Sequence, residues 1–173
     1  MSKPRTANPA LAISEADLAS ALALIGTEIH HQPLRSSALA RIMRETFHGS
    51  DAGGTWDWRM AYDLMQAAAI QVVLRGDGAA GDIAAAKLLA SRLLTETRRS
   101  EQQIRLQQFS TPLPFAALVL RAAAIRKGET VLEPSAGTGA LAAFAVRAGA
   151  TLLLNEIDPF RQRLLRAVFG GEV

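Results

Sequence analysis

Residues 131–142 read VLEPSAGTGALA. An apolar run ends at Glu133 and Pro134, and Ser135, Gly137, Thr138 and Gly139 then form a glycine-rich turn. Glycine has no Cβ, so such a turn lets backbone N–H groups approach a small ligand closely. Downstream, a second apolar run, TLLLN, ends in NEIDP (155–159), which supplies Glu156 and Asp158. Acids at the end of two buried segments, with a glycine turn between them, are the residues best placed for chemistry in this chain.

Three ligand classes fit a glycine turn, and the surrounding residues separate them. A nucleoside-triphosphate loop needs GxxxxGK and a hydroxyl residue, because the lysine neutralises the outer phosphates. No lysine lies near Gly137. A dinucleotide loop needs GxGxxG or GxGxxA with an acid about 20 residues later. Gly137, Gly139 and Ala142 meet that spacing, and Glu156 or Asp158 supplies the acid. Glu133, however, would stand beside the pyrophosphate, where a low dielectric makes like-charge repulsion costly. S-adenosylmethionine reverses the preference, since it carries a sulfonium and an ammonium and no phosphate. On that reading Glu133 favours the cationic methionine end, and Gly137 and Gly139 admit close approach of the backbone. Glu156 accepts the ribose hydroxyls and Ile157 lies against the adenine.

The elements that must hold these residues follow from periodicity. With no cysteine, disulfide and thiolate-zinc scaffolds are excluded. At 49% hydrophobic and 20% charged residues the chain is globular in composition. The first fourteen residues have no secretory apolar core, and no run approaches the roughly 20 apolar residues of a membrane span, so a soluble cytoplasmic protein is expected. Ser14 reads as an N-cap before Leu18, Leu22, Ile25 and Ile29 at helical spacing. Further helices are expected from Ser36 or Ser37 to about Gly49, from Thr55 or Asp57 to about Val73, and from Ile83 into 97–103. The four form a helical domain over residues 1–106, plausible in size for a bundle. From 107 the texture changes to a short helix from Pro114 to about Ile125, then strand, helix, strand and helix. This is a βαβ unit with parallel strands. The expected fold class is mainly α with a partial α/β part.

VLEPSAGTGALA resembles the first cofactor motif of nucleic-acid amino-methyltransferases, above all the adenine-N6 group. NEIDP resembles their second motif, and FSTP (109–112) resembles the segment that closes over the methionine moiety. The combination also resembles the methylase portion of strawberry-notch-type methylase–helicase proteins. The resemblance implies a Rossmann-like methyltransferase domain, incomplete, over residues 107–173. It implies an S-adenosyl-L-methionine site in which Glu133, Pro134, Ser135, Gly137, Thr138 and Gly139 hold the methionine side. Glu156 and Ile157 then hold the nucleoside, Asp158 adds a polar contact, and Phe109, Thr111 and Pro112 close the pocket. DNA is the implied partner of the intact protein, with a helicase region or partner chain over the open sheet edges.

The family transfers its methyl group with Asn, Asp or Ser followed by Pro-Pro and an aromatic, and this sequence contains no Pro-Pro pair. No catalytic residue is therefore assigned, and the chain is expected to be part of a longer protein and inactive alone. A non-catalytic binding module, an inhibitor or decoy on the same scaffold, and a fragment of an NAD-dependent oxidoreductase are the alternatives. Elsewhere, His30 and His31 lack a third ligand nearby, so no metal site is assigned. Trp56 and Trp58 read as anchors of a helix start. Arg35, Arg41 and Arg44, and the cluster Arg92, Arg98, Arg99 and Arg105, read as solvated faces that are open to phosphate contact.

Overall fold

The structure is a computed structural model that describes residues 13–76, 81–96 and 110–171. Within them the chain is mainly helical, with a small parallel sheet of two strands. Helix α1 (Glu15–His31) starts at Ser14, whose hydroxyl accepts the Asp17 N–H at 3.1 Å. Its inward positions Leu18, Leu22, Ile25 and Ile29 are buried as the spacing requires. Helix α2 (Ser36–Thr46) turns Leu39, Ile42 and Met43 to the same core.

Helix α3 (Trp58–Arg75) is the centre of the molecule. Asp57 caps it by accepting the Met60 N–H at 2.8 Å. It packs on α1 and α2, and its other faces meet the C-terminal part of the chain. A helix enclosed on several sides is apolar around most of its circumference, and Ala67, Ala68 and Ala69 are fully buried. Their small side chains let neighbouring backbones come close.

Helix α4 (Ile83–Ala90) is shorter than the periodicity suggests. After Ala90 the chain turns, and the part of the expectation that falls on 97–103 lies outside the described residues. The Arg92 carbonyl accepts the Leu34 N–H at 2.8 Å, and the Arg92 guanidinium donates to the Ile29 and His30 carbonyls at the end of α1. Those bonds hold the chain against the end of α1, an attachment too distant in sequence for local propensity to reveal. Arg92 therefore closes a helix end, where a solvated face was expected. Helix α5 (Leu113–Ala123) has a proline in its first turn, packs chiefly on α4 and on the next helix, and stops at Ala124 in the left-handed conformation.

The strands β1 (Thr130–Glu133) and β2 (Thr151–Leu154) are parallel and pair Val131 with Leu152 and Glu133 with Leu154. Helix α6 (Ala140–Arg147) connects them and packs on both, and α7 (Pro159–Phe169) follows β2. Helices α6 and α7 lie against α3. One face of the sheet is thus half-buried, whereas Leu132 and Leu153 on the other are 67% and 56% exposed. Among the described residues the sheet has no third strand, and no helix is long and apolar enough to cross a membrane.

The hydrophobic core runs without a break from Leu18 of α1 to Leu164 of α7. Urea unfolding followed by tryptophan fluorescence, which reports only on Trp56 and Trp58, should coincide with unfolding followed by circular dichroism. Leu164→Ala should shift both curves together, by about 2–5 kcal/mol. A fluorescence transition that ignores Leu164→Ala would contradict a continuous core.

Candidate functional site

The glycine loop is built by the ends of the two strands. The Asn155 N–H donates to the Glu133 carbonyl at 3.0 Å, the Ala136 N–H to the Asn155 carbonyl at 2.9 Å, and the Asn155 side chain to the Pro134 carbonyl at 2.9 Å. A tight turn then runs from Ala136 to Gly139, whose N–H donates to the Ala136 carbonyl at 2.8 Å. The two glycines serve different purposes. Gly137 has φ +60°, and a Cβ there would have only one neighbour within 4 Å, the Arg161 guanidinium at 3.9 Å. That side of the loop is open to a ligand. Gly139 has φ +96°, and a Cβ there would stand 2.5 Å from the Phe169 ring. Gly139 is required for α7 to pack against the start of α6.

Glu156 is 7% exposed and already engaged. One carboxylate oxygen accepts the Gly137 N–H and the other the Asp158 N–H, both at 2.8 Å. It fixes the loop to the end of β2. Asp158, 4% exposed, caps α7 by accepting the Phe160 and Arg161 N–H groups at 3.0 and 3.1 Å. Its other oxygen takes a hydrogen bond from Arg59. Asp158 is therefore part of the frame. Ile157 is 75% exposed beside it.

Arg59 belongs to a buried charge network that joins α3 to α7. Arg161 donates from Nε and Nη2 to one oxygen of Asp63, at 3.1 and 2.8 Å, and the two side chains are 2% and 1% exposed. Arg59 lies 3.8 Å from Asp63 and pairs with Asp158, which gives two cations and two anions. Burial pushes the Asp63 carboxyl above its ordinary range, even though Arg161 and Arg59 pull it down. Burial also opposes ionisation of Asp158, but the hydrogen bond from Arg59, the cap bonds and both guanidinium groups outweigh it, so its pKa lies below the usual value.

Thr111 meets the loop. With Ser110, Glu133, Ser135, Gly137 and Thr138 it bounds a cavity of about 30 Å³. A second cavity, of about 470 Å³, adjoins the first through Ser110, Thr111, Thr138 and Ala140. Its far wall comes from α3, with Met65, Gln66 and Ile70, and from Leu94 and Glu96 beyond α4, and Pro112 lines it too. The expected pocket residues Thr111, Pro112, Glu133, Ser135, Gly137 and Thr138 thus converge. Pro134 is exposed at the rim and Gly139 lies beneath the loop. Phe109 lies outside the described residues, as do Arg98, Arg99 and Arg105.

Among the remaining candidates, Trp56 is buried and donates to the Gly49 carbonyl at 3.0 Å, while Trp58 donates to Asp51 at 3.2 Å. Both anchor the start of α3. Arg41 pairs with Glu28 and Glu45. The network residues Arg59, Asp63 and Arg161 were not singled out in the sequence, though one signal was available. Asp63 interrupts the apolar run of α3 one helical turn after Arg59, and a buried acid requires a cation.

No protein-family model matches the chain, and no curated protein or solved structure matches it.

Arg161→Met should cost about 3–5 kcal/mol in urea unfolding, because it leaves Asp63 buried without its partner. The double variant with Asp63→Leu should recover most of that loss, and strictly additive losses would show that the pair is not coupled. Asp158→Asn keeps a cap oxygen and removes the charge, and should cost about 1.5–3 kcal/mol at neutral pH. A carboxyl with a lowered native pKa stabilises above its unfolded value, near 3.9, and loses that contribution as pH falls. The gap between wild type and Asp158→Asn should therefore narrow below about pH 4. A gap independent of pH would contradict the ionised pair.

Proposed function

We propose that the chain is the cofactor-binding portion of an S-adenosylmethionine-dependent DNA methyltransferase, of the adenine-N6 type found in strawberry-notch-type methylase–helicase proteins. The observation that carries the reading is the charge of the two cavities at the glycine loop. Their lining holds two acids, Glu133 and Glu96, and no lysine or arginine among the described residues. Such a lining disfavours a pyrophosphate and favours a sulfonium and an ammonium. The order of strand, glycine turn, helix, strand and acid supports the same reading, as does the open side of Gly137.

The residues around the smaller cavity fit the methionine end of the cofactor in kind, whereas Glu156 and Ile157, assigned to the nucleoside, line neither cavity. Glu133, Ser135, Thr138 and Thr111 surround the methionine end, and Gly137 admits close approach. Each Glu156 oxygen spends one lone pair on a backbone N–H and keeps another for a ribose hydroxyl. Ile157 offers an exposed apolar surface to the adenine. When bound, the cofactor supplies the activated methyl group, and this chain's residues bind and orient it. The step that orients an acceptor amine needs the Pro-Pro-aromatic motif, which this sequence lacks, so binding without turnover is the expected behaviour. A second reading, a non-catalytic binding module on the same scaffold, draws support from the exposed sheet face with Leu132 and Leu153.

Calorimetric titration with S-adenosylhomocysteine, with NAD as control, separates the readings. Binding of the homocysteine compound and none of NAD is expected. Glu133→Gln should weaken it about tenfold, equivalent to 1.4 kcal/mol. Preference for NAD would overturn the proposal in favour of an oxidoreductase, and binding of neither would favour the binding module.

A further inference from the structure

Thr138 of the glycine loop is 3% exposed, and its hydroxyl donates to the Gln66 side-chain oxygen at 3.0 Å. Gln66 stands in the middle of α3, far from the loop in sequence. Its amide nitrogen donates in turn to a carboxylate oxygen of Glu96. A carboxylate only accepts, so Glu96 determines which end of the Gln66 amide faces it, and the oxygen must then face Thr138. The single hydroxyl proton of Thr138 is spent on Gln66. What Thr138 has left to offer a ligand is lone pairs.

The cavity beside Thr138 therefore holds two groups that can only accept, and the Ser110, Thr111 and Ser135 hydroxyls around it can accept or donate. Glu133 at its edge accepts, and Thr138 accepts. Ser110, which lines the same cavity, has a buried hydroxyl oxygen with no hydrogen-bond partner. An unsatisfied buried hydroxyl costs on the order of 1–3 kcal/mol, so a partner there is favoured. The cavity's volume of about 30 Å³ is enough to hold a group the size of a water molecule, which is also the scale of an ammonium head. An ammonium carries three donors and no acceptor, and it matches a small seat in which Glu133, Thr138 and the unpartnered Ser110 hydroxyl can each accept.

We propose that Gln66, held by Glu96, is a positioning residue that fixes Thr138 as an acceptor, so that the cavity selects ligands bearing a primary ammonium. The inference rests on the cofactor reading and deepens it. Gln66 lines the larger cavity and not the smaller one, so the helical part of the chain sets the ligand chemistry of the smaller cavity through Thr138. Without Gln66 the Thr138 hydroxyl turns freely, and its proton competes with the ammonium.

The test compares S-adenosylhomocysteine with 5′-methylthioadenosine, which shares the adenosyl thioether and lacks the amino-acid end. Dissociation constants are measured for wild type, Gln66→Leu and Thr138→Val, each checked for folding by urea midpoint. Wild type should prefer the homocysteine compound by about tenfold or more. Gln66→Leu and Thr138→Val should each lose most of that preference, with affinity for methylthioadenosine unchanged. Equal loss for both ligands, or no loss for either, would overturn the positioning role while leaving the cofactor reading intact. Equal wild-type affinity for the two ligands would overturn the ammonium seat alone. A wild-type chain that binds neither ligand would overturn both the seat and the cofactor reading.

Discussion

Four charges between α3 and α7, three of them buried on Asp63, Asp158 and Arg161 and one half-buried on Arg59, determine how the two parts of this chain meet. A buried ion pair is a poor source of net stability, because desolvation offsets most of its attraction. Its consequence lies in the cost of misalignment. An apolar interface tolerates small sliding, whereas a guanidinium that donates twice to one carboxylate oxygen does not. Asp158 is held by Arg59 and also caps α7, so the start of α7 is fixed relative to α3. Glu156 lies two residues earlier and holds the Gly137 N–H. The position of the glycine loop is therefore determined, bond by bond, from the helical part of the chain.

The packing on the two faces of the sheet differs sharply. On one side, α6 fills the space between the strands and α3, and the alanine surfaces of α3 and α6 let the backbones approach closely. On the other, Leu132 and Leu153 stand side by side in register and exposed. Parallel strands are ordinarily covered on both faces, and two strands alone bury little area. The stability of β1 and β2 comes mainly from the helices behind them, which makes the continuous core a condition for the loop to exist at all.

Much of this was legible in the sequence where the determinants are local. The Ser14 cap, the apolar face of α1 and the strand–turn–helix around Gly137 all follow from spacing and residue type. So did the convergence of Thr111 with Glu133 and Thr138, through a resemblance to three motifs in order. The illegible parts depend on pairs far apart in the chain. Arg92 ends α4 early by binding the end of α1, and Asp63 finds Arg161 ninety-eight positions away. Asp158 reads as a polar ligand contact in the strand-end motif, yet its environment is decided by Arg59 on another helix. The Gly139 position reads as room for a ligand and is occupied by the need to pass Phe169. Periodicity carries no information about any of these.

The Gly137 amide is tied to Glu156, and its loop is open on the other side and held in place through α7 from α3. The most direct measurement is a two-dimensional amide NMR titration with S-adenosylhomocysteine. The account predicts that the Gly137, Thr138 and Asp158 amides shift together and saturably, and that an equal concentration of NAD leaves them in place. Amides that stay unmoved by S-adenosylhomocysteine, or that move with NAD instead, would contradict it.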